Sequence, residues 1–325
     1  IRERVVKTFD KFFDVKLKTT EEIVKDSREL NLDIAIDLKG FTNNNRFDLF
    51  IERCAPIQIS YLGFPGTTGS DCMDYLIADK IVIPEESKIH YSENIIYLPN
   101  SYQVNDSNPT LSKKSFSKKD FNLPENKFIF CCFNHSFKIL PDMFEIWIKI
   151  LKKVKNSIIW LLIDNEITQN NLKKILVSND IDPNRIIFAD RLPHSEHIVR
   201  LGLADLFLDT FPCNAHTTAS DALRSSLPII TIKGDSFASR VASSLLVSVG
   251  LEELITKSQK EYEELAIKIA VDKNFYKEIR DKLKKNVTDS PLFNSKLFTK
   301  KIEEAYQMVC KNYTDNKKSE IIEIK

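Results

Sequence analysis

The sequence predicts an α/β fold built on parallel strands with helices on both faces. Three observations lead there. Short apolar runs recur from about residue 127 onward, and most are unbroken by polar residues, as strands buried on both faces require. Segments with apolar residues at i, i+3, i+4 and i+7 lie between them. The chain has 325 residues, enough for two domains at roughly 150 residues each.

In chain order, 5–13 and 20–30 read as helices, and 32–38 (LDIAIDL) as a strand ending near Gly40. Residues 46–53 read as a helix and 57–62 (IQISYL) as a strand, with further short strands at 75–78 and 94–98. That is too few elements for a full doubly wound domain. Residues 107–125 carry Lys113, Lys114, Lys118 and Lys119 among Asn and Ser, and read as a solvated linker rather than a phosphate patch. The regular alternation then begins. Residues 127–133 (KFIFCCF) form a strand, and Pro141 suits the first turn of the helix carrying Phe144, Trp147, Ile148 and Leu151 on one face. Strands are predicted at 157–163, 185–189, 205–209 and 228–233, with helices at 166–178, 195–203, 217–226 and 236–249. Helices at 259–271, 275–287 and 297–313 follow, and the charged last dozen residues read as frayed. The expected divisions are 1–115, 116–290 and 291–325.

Composition narrows the function. Lys plus Arg is 47 and Asp plus Glu is 46, a net charge of +1 that argues against binding nucleic acid through bulk charge. No apolar run approaches the roughly 20 residues of a membrane helix. None of the six cysteines forms C-x-x-C, and buried reduced thiols in a cytoplasmic protein are the expectation.

Parallel sheets bind ligands beyond the carboxyl ends of their strands, so the strand-to-helix loops are the places to search. One is DTFPCNAHTTASD, from Asp209 to Asp221. His216, Thr217 and Thr218 open a helix there, where unpaired N–H groups and a partial positive charge suit a phosphate. Asp221, one turn further in, would repel phosphate but accept from a ribose hydroxyl. The plainer alternative is that Thr217 caps the helix and Asp221 favours its dipole. In the second loop, FNHSFKILP from Phe133, Lys138 is a natural counter-charge for a pyrophosphate, or else a solvated surface lysine. The third, LPHSEHIVR from Leu192, holds His194 and His197 at i, i+3, with no third ligand spaced for zinc. Ser195 there reads as a helix cap, and a histidine as a platform for a flat base. In the fourth, Gly63, Gly66 and Gly69 fall within seven residues of a chain with only seven glycines, so the backbone turns sharply or approaches a ligand closely. Asp180-Ile-Asp182 matches the short D-x-D pattern of metal-dependent sugar transfer, but lies in an ordinary turn.

Taken together and in order, these blocks resemble the catalytic region of the O-linked N-acetylglucosamine transferase family, which includes SPINDLY-type and bacterial members. The matching pieces are DLKGFT from Asp37, APIQ from Ala55, YLGFPGT from Tyr61, MDY from Met73 and YSE from Tyr91. Leu98-Pro99, Phe133-Asn134, Lys138-Ile139, RIIF from Arg185, Glu196-His197 and LAD from Leu203 continue the series. It is completed by LDT from Leu208, Cys213-Asn214, HTT from His216, ASRVA from Ala238 and SPLFN from Ser290. The resemblance spans about residues 31–313.

It implies a GT-B glycosyltransferase: two Rossmann-like lobes facing across a cleft, the first incomplete here, with no essential metal and no cofactor, the nucleotide sugar being a substrate. It implies inverting transfer of N-acetylglucosamine from UDP-GlcNAc to Ser or Thr hydroxyls of an acceptor protein. On this pattern Lys138 is the catalytic residue at the diphosphate, with His135 at a position usually held by glutamine. Leu192, Pro193 and His194 would meet the uracil through backbone, and His197 would stack on it. Ile198, Val199 and Arg200 complete that helix segment. His216, Thr217 and Thr218 would hold the diphosphate and Asp221 the ribose. Thr42, Gly66, Thr67 and Gly69 would line the cleft. The chain departs from the family at His194, often lysine, and at His135. It also starts after the family's first Rossmann segment, whose early histidine is proposed to serve the acceptor, and after the tetratricopeptide repeats. A fragment or a degenerate form is therefore expected. GDP-fucose or UDP-glucose as donor, and a module that binds a nucleotide sugar without turnover, are the other readings.

Overall fold

Two sheets of parallel strands organise the computed structural model, which describes residues 2–325. The chain gathers into two compact units. The first comprises Ile1–Ile77, Glu86–Tyr97 and Glu303–Ile324, and the second Ala78–Glu85 and Leu98–Ile302 with Lys325. Contacts thus divide the chain at different points from those composition suggested: the C-terminal segment belongs with the first sheet.

The first unit carries α1 (Arg2–Val6), α2 (Thr20–Glu29), β1 (Ile34–Asp37), α3 (Asp48–Ile51) and β2 (Ile57–Ser60). After them, β3 (Tyr75–Ala78) and β4 (Asn94–Tyr97) extend the sheet. α2 starts where it does because Thr19 and Glu22 form a capping box. Val24 of α2 packs with Phe47, Phe50, Cys54 and Met73 in a small apolar cluster.

The second unit alternates strictly. Its strands are β5 (Phe128–Cys132), β6 (Ser157–Leu161), β7 (Ile186–Phe188), β8 (Leu206–Leu208) and β9 (Ile229–Ile232), with a final short β10 (Ile255–Thr256). Between them run α4 (Pro141–Lys153), α5 (Glu166–Ser178), α6 (His194–Leu201), α7 (Thr217–Arg224) and α8 (Val241–Ser248). α9 (Gln259–Val271) and α10 (Lys273–Asp289) follow. The strand order is β10-β9-β8-β5-β6-β7. β5 lies at the centre and the order reverses there, which puts a crevice at the carboxyl ends of β5 and β8. Trp147 of α4 and Trp160 of β6 are fully buried and anchor the core. α11 (Ser295–Thr314) begins in the second unit and ends in the first, and β11 (Ile322–Glu323) completes the first sheet, whose order is β1-β2-β3-β4-β11. No helix among the described residues is long and apolar enough to cross a membrane.

Four sequence expectations are corrected. The helix expected at 5–13 stops at Val6: Phe9, Phe12 and Phe13 stay exposed, and a helix without a surface to bury its apolar face is marginal. The helix expected at 236–249 is split, because Ser236 and Ser239 cap one another in a separate 3₁₀ turn before α8. The linker at 107–125 is pinned rather than free, with Ser112 N–H on the Ser195 carbonyl at 3.2 Å and Lys114 on Glu196 at 2.7 Å. The tail expected to fray instead pairs with β4, and buries Ile322 and Ile324, which lie two residues apart on one strand face.

Candidate active site at the carboxyl edge of the second sheet

Three strand-to-helix loops of the second unit converge. After β5 the chain places Asn134, almost fully buried, then a single 3₁₀ turn over Ser136–Lys138. The Lys138 ammonium is half-buried and donates to the Asn214 carbonyl at 2.8 Å. This fixes the lysine on the loop that leads into α7, which Thr217 opens.

That loop is held from below by Asp209, which is 1% exposed. Its Oδ1 accepts from the backbone N–H of Thr210 (2.8 Å) and Ala215 (2.7 Å) and from the Asn134 amide (3.2 Å). Its Oδ2 accepts from the Thr231 hydroxyl at 2.7 Å. Asn134 in turn accepts from the Thr218 hydroxyl at 2.5 Å and donates to Thr210 at 2.8 Å. Burial pushes the Asp209 carboxyl up to about 6, against the pull of these donors and of Lys138. His216 is held down to about 4, first by burial and then by the Lys138 charge, so the ring is neutral at pH 7. Its Nε2 is buried and meets no partner. The Lys138 ammonium tied beside the start of α7 is what a site awaiting an anion presents.

After β7, Pro193 precedes α6, and His194 Nε2 lies 3.0 Å from Asp221 Oδ2. Burial raises the Asp221 carboxyl, while His194 opposes the shift. Arg200 is 1% exposed, with its guanidinium 5.0 Å from the Phe133 ring and 5.9 Å from that of Trp160. It donates to His197 Nδ1 at 3.1 Å and to the Asp190 carbonyl at 2.5 Å. Burial lowers it to about 10, still charged at neutral pH. His197 is lowered to about 4 by burial, then by Arg200 and His194. Because Nδ1 accepts from Arg200, the proton of the neutral ring sits on Nε2. A cavity of about 300 Å³ opens among these loops. His135, Leu192, His194 and His197 line it, as do Arg200, Thr218 and Asp221.

Comparison with known proteins decides the family. The family model described as glycosyl transferase family 41 matches residues 1–115 and 112–302. The chain belongs to glycosyl transferase family 41. It is 38% identical over 311 residues to a probable UDP-N-acetylglucosamine–peptide N-acetylglucosaminyltransferase SEC of Arabidopsis thaliana, covering 94% of this chain and 32% of that protein. It is 30% identical over 321 residues to a probable SPINDLY transferase of the same description from Solanum lycopersicum, covering 97% of this chain and 34% of that protein. Its fold matches a mutant O-GlcNAc transferase of Thermobaculum terrenum with a TM-score of 0.87 and 27% identity, over 95% of this chain and 59% of that one. The chain thus spans about a third of the length of these curated relatives. The fold is GT-B, with two Rossmann-like lobes carrying parallel sheets.

In this family 41 chain the residues expected for the donor separate into three groups. Seven line the cavity, as given above. Lys138, His216 and Thr217 are not among its lining; His216 and Thr217 belong to the adjoining Asp209 loop, to which Lys138, from the loop after β5, is tied through Asn214. Pro193 serves as the residue before α6, Ile198 is a 3%-exposed core side chain, and Val199 lies off the cavity. Those last two follow from helical spacing, since His197 and Arg200 share the face towards Phe133. Sequence reasoning passed over Asn134 and Asp209 as site residues. Both stand directly beyond a strand end, which was the available signal. It also passed over Asp164 and Arg191, which line the cavity.

Thr42, Gly66, Thr67 and Gly69 lie in the first unit. Thr42 donates to the Lys39 carbonyl at 3.0 Å, and Thr67 and Thr68 both hold the buried Glu93 carboxylate. The glycine-rich turn has a neighbour within its own unit: a Cβ on Gly63 would fall 2.2 Å from the Leu38 carbonyl oxygen. Gly69 adopts φ +62° in open space. Among the described residues no three His, Cys, Asp or Glu side chains cluster as metal ligands.

Proposed function

We propose that this chain is the donor-binding and catalytic part of a glycosyltransferase that moves N-acetylglucosamine from UDP-GlcNAc to Ser or Thr hydroxyls of an acceptor protein, with inversion and without a metal. The observation that carries the reading is the Lys138 ammonium held 2.8 Å from the Asn214 carbonyl, on the loop that leads into α7. The activity named for the relatives supports the sugar and the acceptor class.

In this reaction the acceptor oxygen bonds to the anomeric carbon as the bond from that carbon to the diphosphate oxygen breaks. The acceptor hydroxyl loses its proton, and no residue of this chain is assigned to take it. Negative charge grows on the departing diphosphate. Lys138 and the first N–H groups of α7 are fixed before the reaction starts, so they stabilise that charge without reorganising. On this reading Asp221, paired with His194, takes the ribose and His197 the base. The six free cysteines, with the Cys131 and Cys132 thiols pushed upward by burial, suit a reducing cytoplasmic compartment.

The test is Lys138→Ala in a transferase carrying this chain, assayed with UDP-GlcNAc and a Ser/Thr peptide by mass spectrometry. Turnover is expected to fall by about 10²–10³-fold, as for loss of one preorganised charge donor, while UDP affinity changes much less. Near-normal turnover would remove Lys138 from the mechanism. UDP binding by wild type with no transfer to any peptide would favour a module that binds without turnover. Faster transfer from GDP-fucose or UDP-glucose would change the sugar.

A further inference from the structure

The second unit carries another opening at the pole opposite the donor cavity. It lies at the amino ends of the same sheet, where Phe128 begins β5, Ser157 begins β6 and Leu206 begins β8. Its volume is about 660 Å³. Lys118, Lys127, Lys153, Lys155 and Lys273 ring it, and Phe128, Val154, Ile269 and Val271 give it an apolar floor. In a chain of net charge +1 this is a local excess of cations. Lys118 donates to the Glu125 carbonyl at 3.3 Å, and the other four ammonium groups meet no acceptor among the described residues. The carboxylate that shares the opening is turned to other work: Asp205 accepts from the Ile129 N–H at 2.8 Å and the Tyr276 hydroxyl at 2.9 Å. Asp120 and Asp272, close by in sequence, accept from Ser117 and from the first N–H groups of α10. Helix dipoles account for Lys153 alone, in the last turn of α4. Lys127 and Lys155 stand outside helices, and Lys273 sits in the first turn of α10, where a dipole disfavours a cation.

We propose that this opening docks an acidic peptide segment of a partner protein, with one bulky apolar side chain of that segment seated on the floor. The inference is independent of the donor-site reading. A lysine ammonium is a compact charge on a flexible stem and offers no fixed fork for one anion. Several of them around an open rim instead match carboxylates strung along a chain, and their summed field draws such a chain in. The floor adds the second requirement. Carboxylates alone would leave Phe128, Ile269 and the 60%-exposed Val271 against water, whereas a Leu or Phe between them covers that surface. The opening and the donor cavity occupy opposite edges of one sheet, so a partner held here leaves the carboxyl edge uncovered. That arrangement suits recruitment of a protein rather than chemistry on it.

Fluorescence anisotropy on the full chain tests this with a short labelled peptide of Asp and Glu carrying one central Phe. Its Phe→Ala counterpart, a single-stranded oligonucleotide and phosphatidylserine vesicles are the comparison probes. The variants are Lys153→Glu with Lys155→Glu, the same pair changed to Arg, and Lys284→Glu with Lys300→Glu. The last pair is exposed and lies outside the lining, so it matches the charge change elsewhere. Wild type is expected to bind the Phe peptide, and the 153/155 reversal to weaken it by about tenfold, as for the loss of two exposed ion pairs. The Arg pair should bind like wild type, and the 284/300 reversal nearly so. On wild type the Ala peptide should bind about tenfold more weakly, the low end for burying a Phe ring, a comparison that needs no variant to fold. Wild type that ignores the Phe peptide, equal binding of the Ala peptide, or equal weakening by the 284/300 reversal would overturn the proposal. So would an oligonucleotide or vesicle that binds more tightly than the peptide and loses that binding in the 153/155 reversal.

Discussion

Asp209 couples the site to pH. Its carboxyl is raised to about 6 in the folded chain from an ordinary value near 4, so the native state holds a proton between those values that the unfolded state has released. Native protein binding more protons means that this group's contribution to stability falls as pH rises through that window, by on the order of 3 kcal/mol in all. His197 and His216 run the other way. Both are depressed to about 4, so their contribution is complete above the ordinary histidine value and is lost as pH falls towards 4. Protonated Asp209 is a poorer acceptor for Thr210, Ala215, Asn134 and Thr231, and the anion loop slackens. UDP affinity is therefore expected to drop below about pH 6, and Asp209→Asn should flatten that drop while binding UDP more weakly throughout. Calorimetry from pH 5 to pH 8 checks this, and a wild-type affinity constant across that range would dismiss the coupling.

At the scale of elements, β11 is the piece whose role the sequence hid. A charged tail reads as solvated, yet Ile322 pairs with Ile96 and is 2% exposed. Removing its side chain with Ile322→Ala should cost about 2 kcal/mol, the low end for deleting a buried isoleucine, because a two-residue strand relaxes easily. Urea denaturation would detect it, and an unchanged midpoint would mean that the strand is not formed in solution. Trp160→Ala, in β6 of the second sheet, should cost about 3–5 kcal/mol, as for other buried aromatics. The contrast explains what the sequence made legible. Strands such as β5 and β6 announce themselves because both faces are buried and almost every residue is apolar. β10 and β11 are two residues long, and their pairing depends on strands far away in the chain.

Across the molecule, the α/β class and the second unit's alternation were readable because helix and strand periods differ and the chain switches between them cleanly. The loops that carry the site were readable as places, since each follows a strand end. What each residue does there was less so. Lys138 could be placed beside a phosphate site from position alone, but its tie to Asn214 depends on a loop 76 residues away. Ile198 and Arg200 are adjacent in sequence to other candidates, and only packing separates the core side chain from the cavity one. Asp209 looked like a strand-end acid and is the hub of five hydrogen bonds, from its own loop, Asn134, β9 and α9. The first sheet's closing strand also orders events during synthesis. Every strand of the second unit leaves the ribosome before Ile322 does, so the second unit is free to mature while the first still lacks its last edge. Until then β4 presents an unpaired backbone row, and a helper that shields it would matter most in that interval.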